Sequence, residues 1–199
     1  MVEQILESLS ALILNTIETG GYWGVFLLMA IESANIPIPS EIIMPFSGFL
    51  VSAGVFRFWP VVLMGALGNL GGSMVSYYIA VYFGKWTRSW AVKNPHFNTS
   101  EKWFNRHGAV VAFWSRLMPI VRTFISFPAG LFRISAWRFF VYTFCGSFVW
   151  SAILTYPGVY LGENWQMIEP LFRKFDILIL AFLLIGFILM LRTHLRKRQ

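Results

Sequence analysis

Four ionisable residues lie within strongly apolar stretches of the sequence, and they form two pairs of opposite charge. The acidic pair, Glu32 and Glu41, encloses SANIPIPS, and the basic pair, Arg116 and Arg122, encloses LMPIV. Arginine keeps its proton and its planar fork suits bidentate contact with phosphate, whereas glutamate can take up and release a proton. These residue types therefore predict phosphate binding by the arginines and proton exchange by the glutamates.

The cost of such charges in a membrane leaves two interpretations open. Each charged side chain at membrane depth costs about 2.5–3.5 kcal/mol, so the four residues either form structural ion pairs or line a polar cavity with a basic and an acidic side. In a cavity, burial favours the neutral glutamate and a neighbouring arginine favours the charged one, so phosphate binding would change glutamate protonation. The expected cavity lining also includes Pro37, Pro39, Ser40, Asn69 and Pro119.

The composition is that of an integral membrane protein. Of the 199 residues, 57% are hydrophobic and 13% are charged, and the mean hydropathy is +0.62. A soluble domain with 20 Phe and 9 Trp would expose too much apolar surface. The net charge is +7. The basic residues lie between apolar runs and at the C-terminus, which indicates positive-inside topology and not a nucleic-acid partner. We expect one all-α membrane domain.

Two apolar stretches are broken by proline and two are not. Residues 21–54 are cut near the middle by Asn35, Pro37 and Pro39, and residues 109–133 are interrupted by Arg116, Pro119, Arg122 and Pro128. Each stretch therefore yields two arms that are too short to span a bilayer. Each broken stretch is followed by an uninterrupted run of spanning length, which predicts transmembrane helices over the residues 60–84 and 137–162. The order of elements is therefore the same in both halves.

The remaining segments are polar or amphipathic, apart from one last apolar run. Residues 1–19 predict an amphipathic interfacial helix, and 85–107 is a polar segment between the halves. The residues 20–165 form the predicted transport domain. The rest, 166–199, comprises the end of a short link over 163–176, a last transmembrane helix over 177–191, and a basic tail.

Two short motifs recur in the same order and indicate an internal repeat. AGVFR at 53–57 returns as AGLFR at 129–133, and YFGKW at 82–86 returns as YLGENW at 160–165. Two matches at nearly equal separation, each preceded by a broken segment, favour duplication.

The distribution of Lys and Arg predicts that the two repeats are inverted. The C-terminal tail and the segment 85–107 are rich in basic residues, which places both on the cytoplasmic side. The first broken segment then enters from the external face and the second from the cytoplasm. Irregular backbone at membrane depth must be buried in protein or line a wet cavity, so we expect the two tips to meet near the midplane.

Taken together, the motifs resemble those of the DedA family of bacterial inner-membrane proteins, also called the VTT or SNARE-associated domain. The matching patterns are E-S-x-x-x-P-I-P-S-E at 32–41, G-x-L-x-x-x-G at 48–54, F-x-S-R-x-x-P-x-x-R at 113–122 and P-A-G-L-F-R at 128–133. The resemblance covers residues 20–165. Ser40 departs from it, because many members have Gly at this position.

The resemblance implies two oppositely facing re-entrant hairpins and the movement of lipids between leaflets, driven by the proton-motive force. It also implies that the family's acidic pair is Glu32 and Glu41, and that its arginine pair is Arg116 and Arg122. The leading hypothesis is a flippase that recycles undecaprenyl phosphate in the cytoplasmic membrane, with the lipid phosphate as its partner. A phosphatidylethanolamine or general phospholipid flippase or scramblase is the alternative.

An enzyme and a structural protein are the less favoured classes. A membrane lipid phosphatase would need a histidine base or nucleophile near the phosphate, but His96, His107 and His194 lie outside the apolar segments. A structural or osmosensing protein would not require charged pairs at two opposed tips. No cofactor or metal is expected, because the histidines lack metal-ligand spacing. A homodimer is left open.

Overall fold

The computed structural model describes the backbone of residues 2–36, 38–91, 106–108, 110–118 and 121–162, with side chains over the same ranges except 2–10 and 85–91. The chain divides after Gly162 into two units, and the second, residues 163–199, lies outside the described residues. The predicted link, last transmembrane helix and basic tail therefore lie outside the description, as does most of the predicted segment 85–107.

Seven helices account for the described part of the chain, which contains no β-strand. They are α1 (Val2–Ser33), α2 (Ser40–Ser52), α3 (Phe58–Ala91), α4 (helical residues 106–108 and 110–116), α5 (Val121–Phe124), α6 (Ser126–Leu131) and α7 (Ala136–Leu161). Within this part, Phe58–Gly84 and Ala136–Leu161 are long and apolar enough to cross a membrane. The prediction of an all-α fold is confirmed.

Helix α1 contains both the predicted amphipathic helix and the first arm of the first broken segment. The two parts meet at Gly21, whose φ of 58° and ψ of −138° interrupt the helix in a conformation that glycine adopts at low cost. Before this point, Ile13 and Ile17 are fully buried whereas Leu12 is 58% exposed. Part of the apolar face of this helix therefore packs against the protein itself.

Both broken segments are interrupted at the predicted places. Pro39 is extended (φ −76°, ψ 110°) and immediately precedes α2, while α4 ends at Arg116 and α5 begins at Val121. Pro128, expected to help interrupt the second segment, lies instead inside α6, just as Pro45 and Pro157 lie inside α2 and α7. Proline alone therefore does not locate a break in this chain.

Glycines on α3 and α7 let the first arm of each broken segment pack closely. A Cβ at Gly68 would overlap the carbonyl of Phe26 on α1, and a Cβ at Gly72 would overlap the carbonyl of Ala30. On α7, a Cβ at Gly146 would lie 2.8 Å from the carbonyl oxygen of Phe113 on α4. These contacts are the close backbone approach that small residues permit between membrane helices.

The second arm of each broken segment packs against the long helix of the other half. On α2, a Cβ at Gly48 would overlap the carbonyl of Thr155 on α7, and Gly158 of α7 is equally close to Pro45. On α6, a Cβ at Gly130 would overlap the carbonyl of Tyr77 on α3. The contacts in the two halves therefore correspond to one another. The contact of α1 with α3 corresponds to that of α4 with α7, and the contact of α2 with α7 corresponds to that of α6 with α3.

Two adjacent glycines on α3 give a matched test of this packing. Gly72→Ala is expected to lower the free energy of unfolding by about 1–3 kcal/mol, because the new methyl group would be forced into α1. Gly71→Ala meets only Phe26 Cζ, at 3.9 Å, so it should be neutral or slightly stabilising through the better helix propensity of alanine. Thermal unfolding of both variants in detergent is the measurement, and equal midpoints would contradict the close α1–α3 contact.

Candidate functional site

Arg122 is the centre of a buried charged cluster that joins the two broken segments. It lies on α5 and is only 1% exposed. Its Nη2 donates hydrogen bonds to Glu32 Oε1, at the end of α1, and to Ser40 Oγ, at the start of α2. Glu41 Oε1 lies 3.6 Å from the same nitrogen. Both glutamates of the first segment therefore converge on one arginine of the second.

Arg116 is equally buried but has a different set of partners. Its Nη1 donates to the backbone carbonyl of Arg122 at 2.7 Å, and its Nη2 donates to Ser126 Oγ at 2.9 Å. A longer contact of 3.4 Å joins Nη1 to Asn69 Oδ1. The guanidinium thus bridges the second break, from α4 to α5 and α6, and holds the backbone of Arg122.

The predicted lining residues fall into three groups. Ser40 and Asn69 are buried and belong to the cluster through their bonds to the two arginines. Pro39 lies beside it, at the start of α2. Pro37 and Pro119 lie outside the described residues.

Helix α7 supplies site residues that the sequence analysis did not identify. Ser147 donates to Asn69 Oδ1 at 2.8 Å, and the Trp150 ring lies 5.1 Å from Arg122 Cζ, within the range of a cation–π contact. The sequence signal for this face of α7 is that small polar residues recur every four positions along an otherwise apolar helix. These residues, all buried, are Thr143, Ser147, Ser151 and Thr155.

The charges in the site are balanced overall but unevenly distributed. Arg122 faces two carboxylates, whereas among the described side chains none forms an ion pair with Arg116. The Arg116 guanidinium is therefore held by neutral oxygens and by the face of the Phe139 ring, 5.8 Å away. It lies next to Arg122, whose ion pairs a competing anion can replace. Such an arrangement can exchange a carboxylate for a phosphate on a guanidinium fork.

An apolar groove is formed by residues of α5 and α6 together with Asn35. Its volume is about 520 Å³, within the range of ligand pockets. It is lined by Asn35, Val121, Phe124, Ile125, Phe127 and Pro128. Of the predicted lining residues that the structure describes, Pro39, Ser40 and Asn69, none borders this groove.

A family model described as the VTT domain matches residues 38–160 of this chain. The chain belongs to this family, the DedA family. The resemblance noted in the sequence is thereby confirmed. The matched range includes both arginines, Glu41 and the α7 residues of the site, and Glu32 lies just before it.

Curated relatives cover nearly the whole chain. Undecaprenyl phosphate transporter A of Bacillus subtilis is 34% identical over 200 residues, which span 96% of this chain and 99% of the relative. The uncharacterized membrane protein YkoX of the same organism is 34% identical over 186 residues, 89% of this chain and 81% of its own. An alkaline phosphatase-like protein of Lactococcus lactis is 28% identical over 197 residues, 94% of this chain and 92% of its own.

No solved structure matches this chain. The apolar helices and the relatives named as membrane proteins agree that the chain is a membrane protein.

Proposed function

We propose that this chain is a lipid transporter that returns undecaprenyl phosphate from the outer to the inner leaflet of the bacterial cytoplasmic membrane. The observation that carries the proposal is Arg122, a buried arginine held between two broken helices by carboxylates that an anion can replace. The family membership and the similarity to a relative named undecaprenyl phosphate transporter A support the choice of lipid.

In this proposal Arg116 and Arg122 bind the phosphate, and Arg122 makes the first contact. Phosphate oxygens and the Glu32 carboxylate are both suited to the arginine fork, so the two compete for the same nitrogens. Arg116 lies at the end of α4, across the second break from Arg122, and donates a hydrogen bond to the Arg122 backbone carbonyl. It adds a positive charge that no described carboxylate neutralises by an ion pair. The apolar chain of the lipid would remain in the bilayer.

Glu32 and Glu41 are the proposed proton carriers. Two arginines and two ionised glutamates balance, so an entering phosphate brings negative charge that the buried site does not offset. An uncompensated buried charge is costly, and proton uptake by a displaced glutamate removes that cost. Phosphate binding and proton binding would thus be linked, which provides coupling to the proton-motive force.

The proposed transport fold has two re-entrant hairpins in an inverted repeat, with the C-terminus in the cytoplasm. The reciprocal packing of α2 on α7 and of α6 on α3 supports the repeat. Topology is tested by labelling cysteines introduced singly at Asn94 and Thr193, in a background without Cys145, which is exposed. Both positions should react only from the cytoplasmic face, and opposite accessibility would contradict the inverted arrangement.

Transport in proteoliposomes tests the function directly. Purified protein is reconstituted with undecaprenyl phosphate, with phosphatidylethanolamine or with a phosphate-free undecaprenol, and leaflet exchange is measured with and without a pH gradient. Undecaprenyl phosphate should move fastest and should respond to the gradient. Faster phosphatidylethanolamine exchange would favour the alternative substrate, and release of free phosphate would indicate a phosphatase.

A further inference from the structure

Trp150 carries a buried hydrogen-bond donor beside the guanidinium of Arg122. Its ring lies 5.1 Å from Arg122 Cζ, and its Nε1 is buried without a hydrogen-bond partner among the described residues. Indole N–H is a donor only, so it cannot be satisfied by the neighbouring guanidinium, which also only donates. A buried donor that lacks an acceptor costs free energy and calls for an explanation.

The other tryptophans with described side chains have a different environment. Trp23, Trp59, Trp114 and Trp137 are all more than half exposed, as expected of aromatic residues that face lipid or the interface. Trp150 is instead partly buried and turned toward the charged cluster. Its position thus differs from that of a general membrane anchor.

A second atom of the cluster has unused hydrogen-bonding capacity. Glu32 Oε2 is buried and has no partner among the described residues, although its other oxygen accepts from Arg122. The guanidinium of Arg122 therefore contacts both Trp150, whose N–H donor has no acceptor, and Glu32, whose second carboxyl oxygen has no hydrogen-bond partner among the described residues. A phosphate monoester offers acceptor oxygens to the donor and, if the carboxyl is protonated, an acceptor to that group as well.

We propose that Trp150 is a further substrate-binding residue, whose indole N–H donates to a lipid phosphate held by Arg122 while its ring packs on the guanidinium. This inference deepens the proposed function, on which it rests for the location of the phosphate. It assigns to α7 a direct role in binding the phosphate group. A ligand without a phosphate would leave the indole N–H unsatisfied.

The test compares Trp150→Phe with Trp150→Leu for lipid binding to purified protein. Phenylalanine keeps an aromatic face for Arg122 but removes the N–H, so affinity for undecaprenyl phosphate should fall about ten-fold or more. Leucine also removes the ring contact and should weaken binding a further two-fold or more. Trp23→Phe is the matched control and should bind like the wild type. Unchanged affinity of Trp150→Phe would overturn the proposal.

A measurement on the wild type covers the case in which these variants do not fold. With the indole nitrogens labelled by 15N, one indole N–H resonance should move when undecaprenyl phosphate is added and stay in place with undecaprenol. If no indole resonance moves, Trp150 is not a ligand.

Phosphatidic acid, also a phosphate monoester, separates the two proposals. Loss of its binding in Trp150→Phe, with no undecaprenyl phosphate binding in the wild type, would reject the proposed lipid and retain the role of Trp150. No binding of either lipid by the wild type would overturn both.

Discussion

Arg122→Gln is expected to lower undecaprenyl phosphate transport at least 100-fold. The variant loses the fork that we propose binds the phosphate, and two charge-assisted hydrogen bonds contribute about 1.5–3 kcal/mol each. Arg122→Lys should be impaired almost as strongly, because a single ammonium cannot replace the planar fork. Transport and equilibrium lipid binding, measured on the same preparations, should fall together.

Removing Arg122 also leaves the buried Glu32 carboxylate without the arginine that it pairs with. The effect of the substitution on folding must therefore be separated from its effect on transport. Loss of one partner of a buried pair typically costs about 3–5 kcal/mol of stability. The double variant Arg122→Gln/Glu32→Gln removes both charges and should recover much of that stability, as judged by thermal unfolding. It should still fail to bind the lipid. Recovery of transport along with stability would mean that the Arg122–Glu32 ion pair has only a structural role.

Arg122 is a sharper target than Arg116 for this question. Arg116→Lys would be the corresponding test of bidentate phosphate binding at the other arginine. In the structure, however, the Arg116 fork already holds the Arg122 carbonyl and Ser126 Oγ through separate nitrogens. Lysine would break that bridge whichever role Arg116 has. A loss of function in Arg116→Lys would therefore not distinguish phosphate binding from a structural role.

The sequence predicted the main elements because membrane burial leaves clear patterns. Uninterrupted apolar runs predicted the long parts of α3 and α7, and Pro37, Pro39 and Pro119 predicted where helices are interrupted, as the ends of α1 and α4 show. The charged residues stood out because ionisable groups are rare and costly in apolar segments. Their mutual arrangement could only be expected from the inverted repeat, and the structure brings Arg122 to both glutamates.

The contributions of α7 were not predictable in the same way. Nothing in the local sequence distinguishes Trp150 from a lipid-facing tryptophan, and the signal for Ser147 is its place in the spacing of four among the small polar residues of α7. The distinction arises from which face of α7 meets Asn69 and Arg122, and that depends on packing between the two halves. Likewise, the sequence gives no reason for Arg116 and Arg122 to have different partners, because each simply flanks the second break.

Glu32→Gln is expected to separate lipid binding from the response to a pH gradient. Glutamine keeps an acceptor for Arg122 and has nearly the same shape, but it cannot take up or release a proton. Binding of undecaprenyl phosphate should therefore be retained, while the ratio of transport rates with and without a gradient should fall to about one, as expected when the titrating group is lost. Glu41→Gln should have a smaller effect, since Glu41 is farther from Arg122 and its side chain is 13% exposed.

The control is Glu18→Gln, which removes a carboxylate from an exposed position on α1 and should leave both binding and the gradient response unchanged. The double variant Glu32→Gln/Glu41→Gln covers the case in which one glutamate substitutes for the other as the proton carrier. With neither carboxylate able to titrate, the phosphate would enter without a compensating proton, so any remaining transport should be indifferent to the direction of the gradient. A full gradient response in the double variant would show that the carboxylates serve only to hold Arg122 and that transport is coupled to protons through another group.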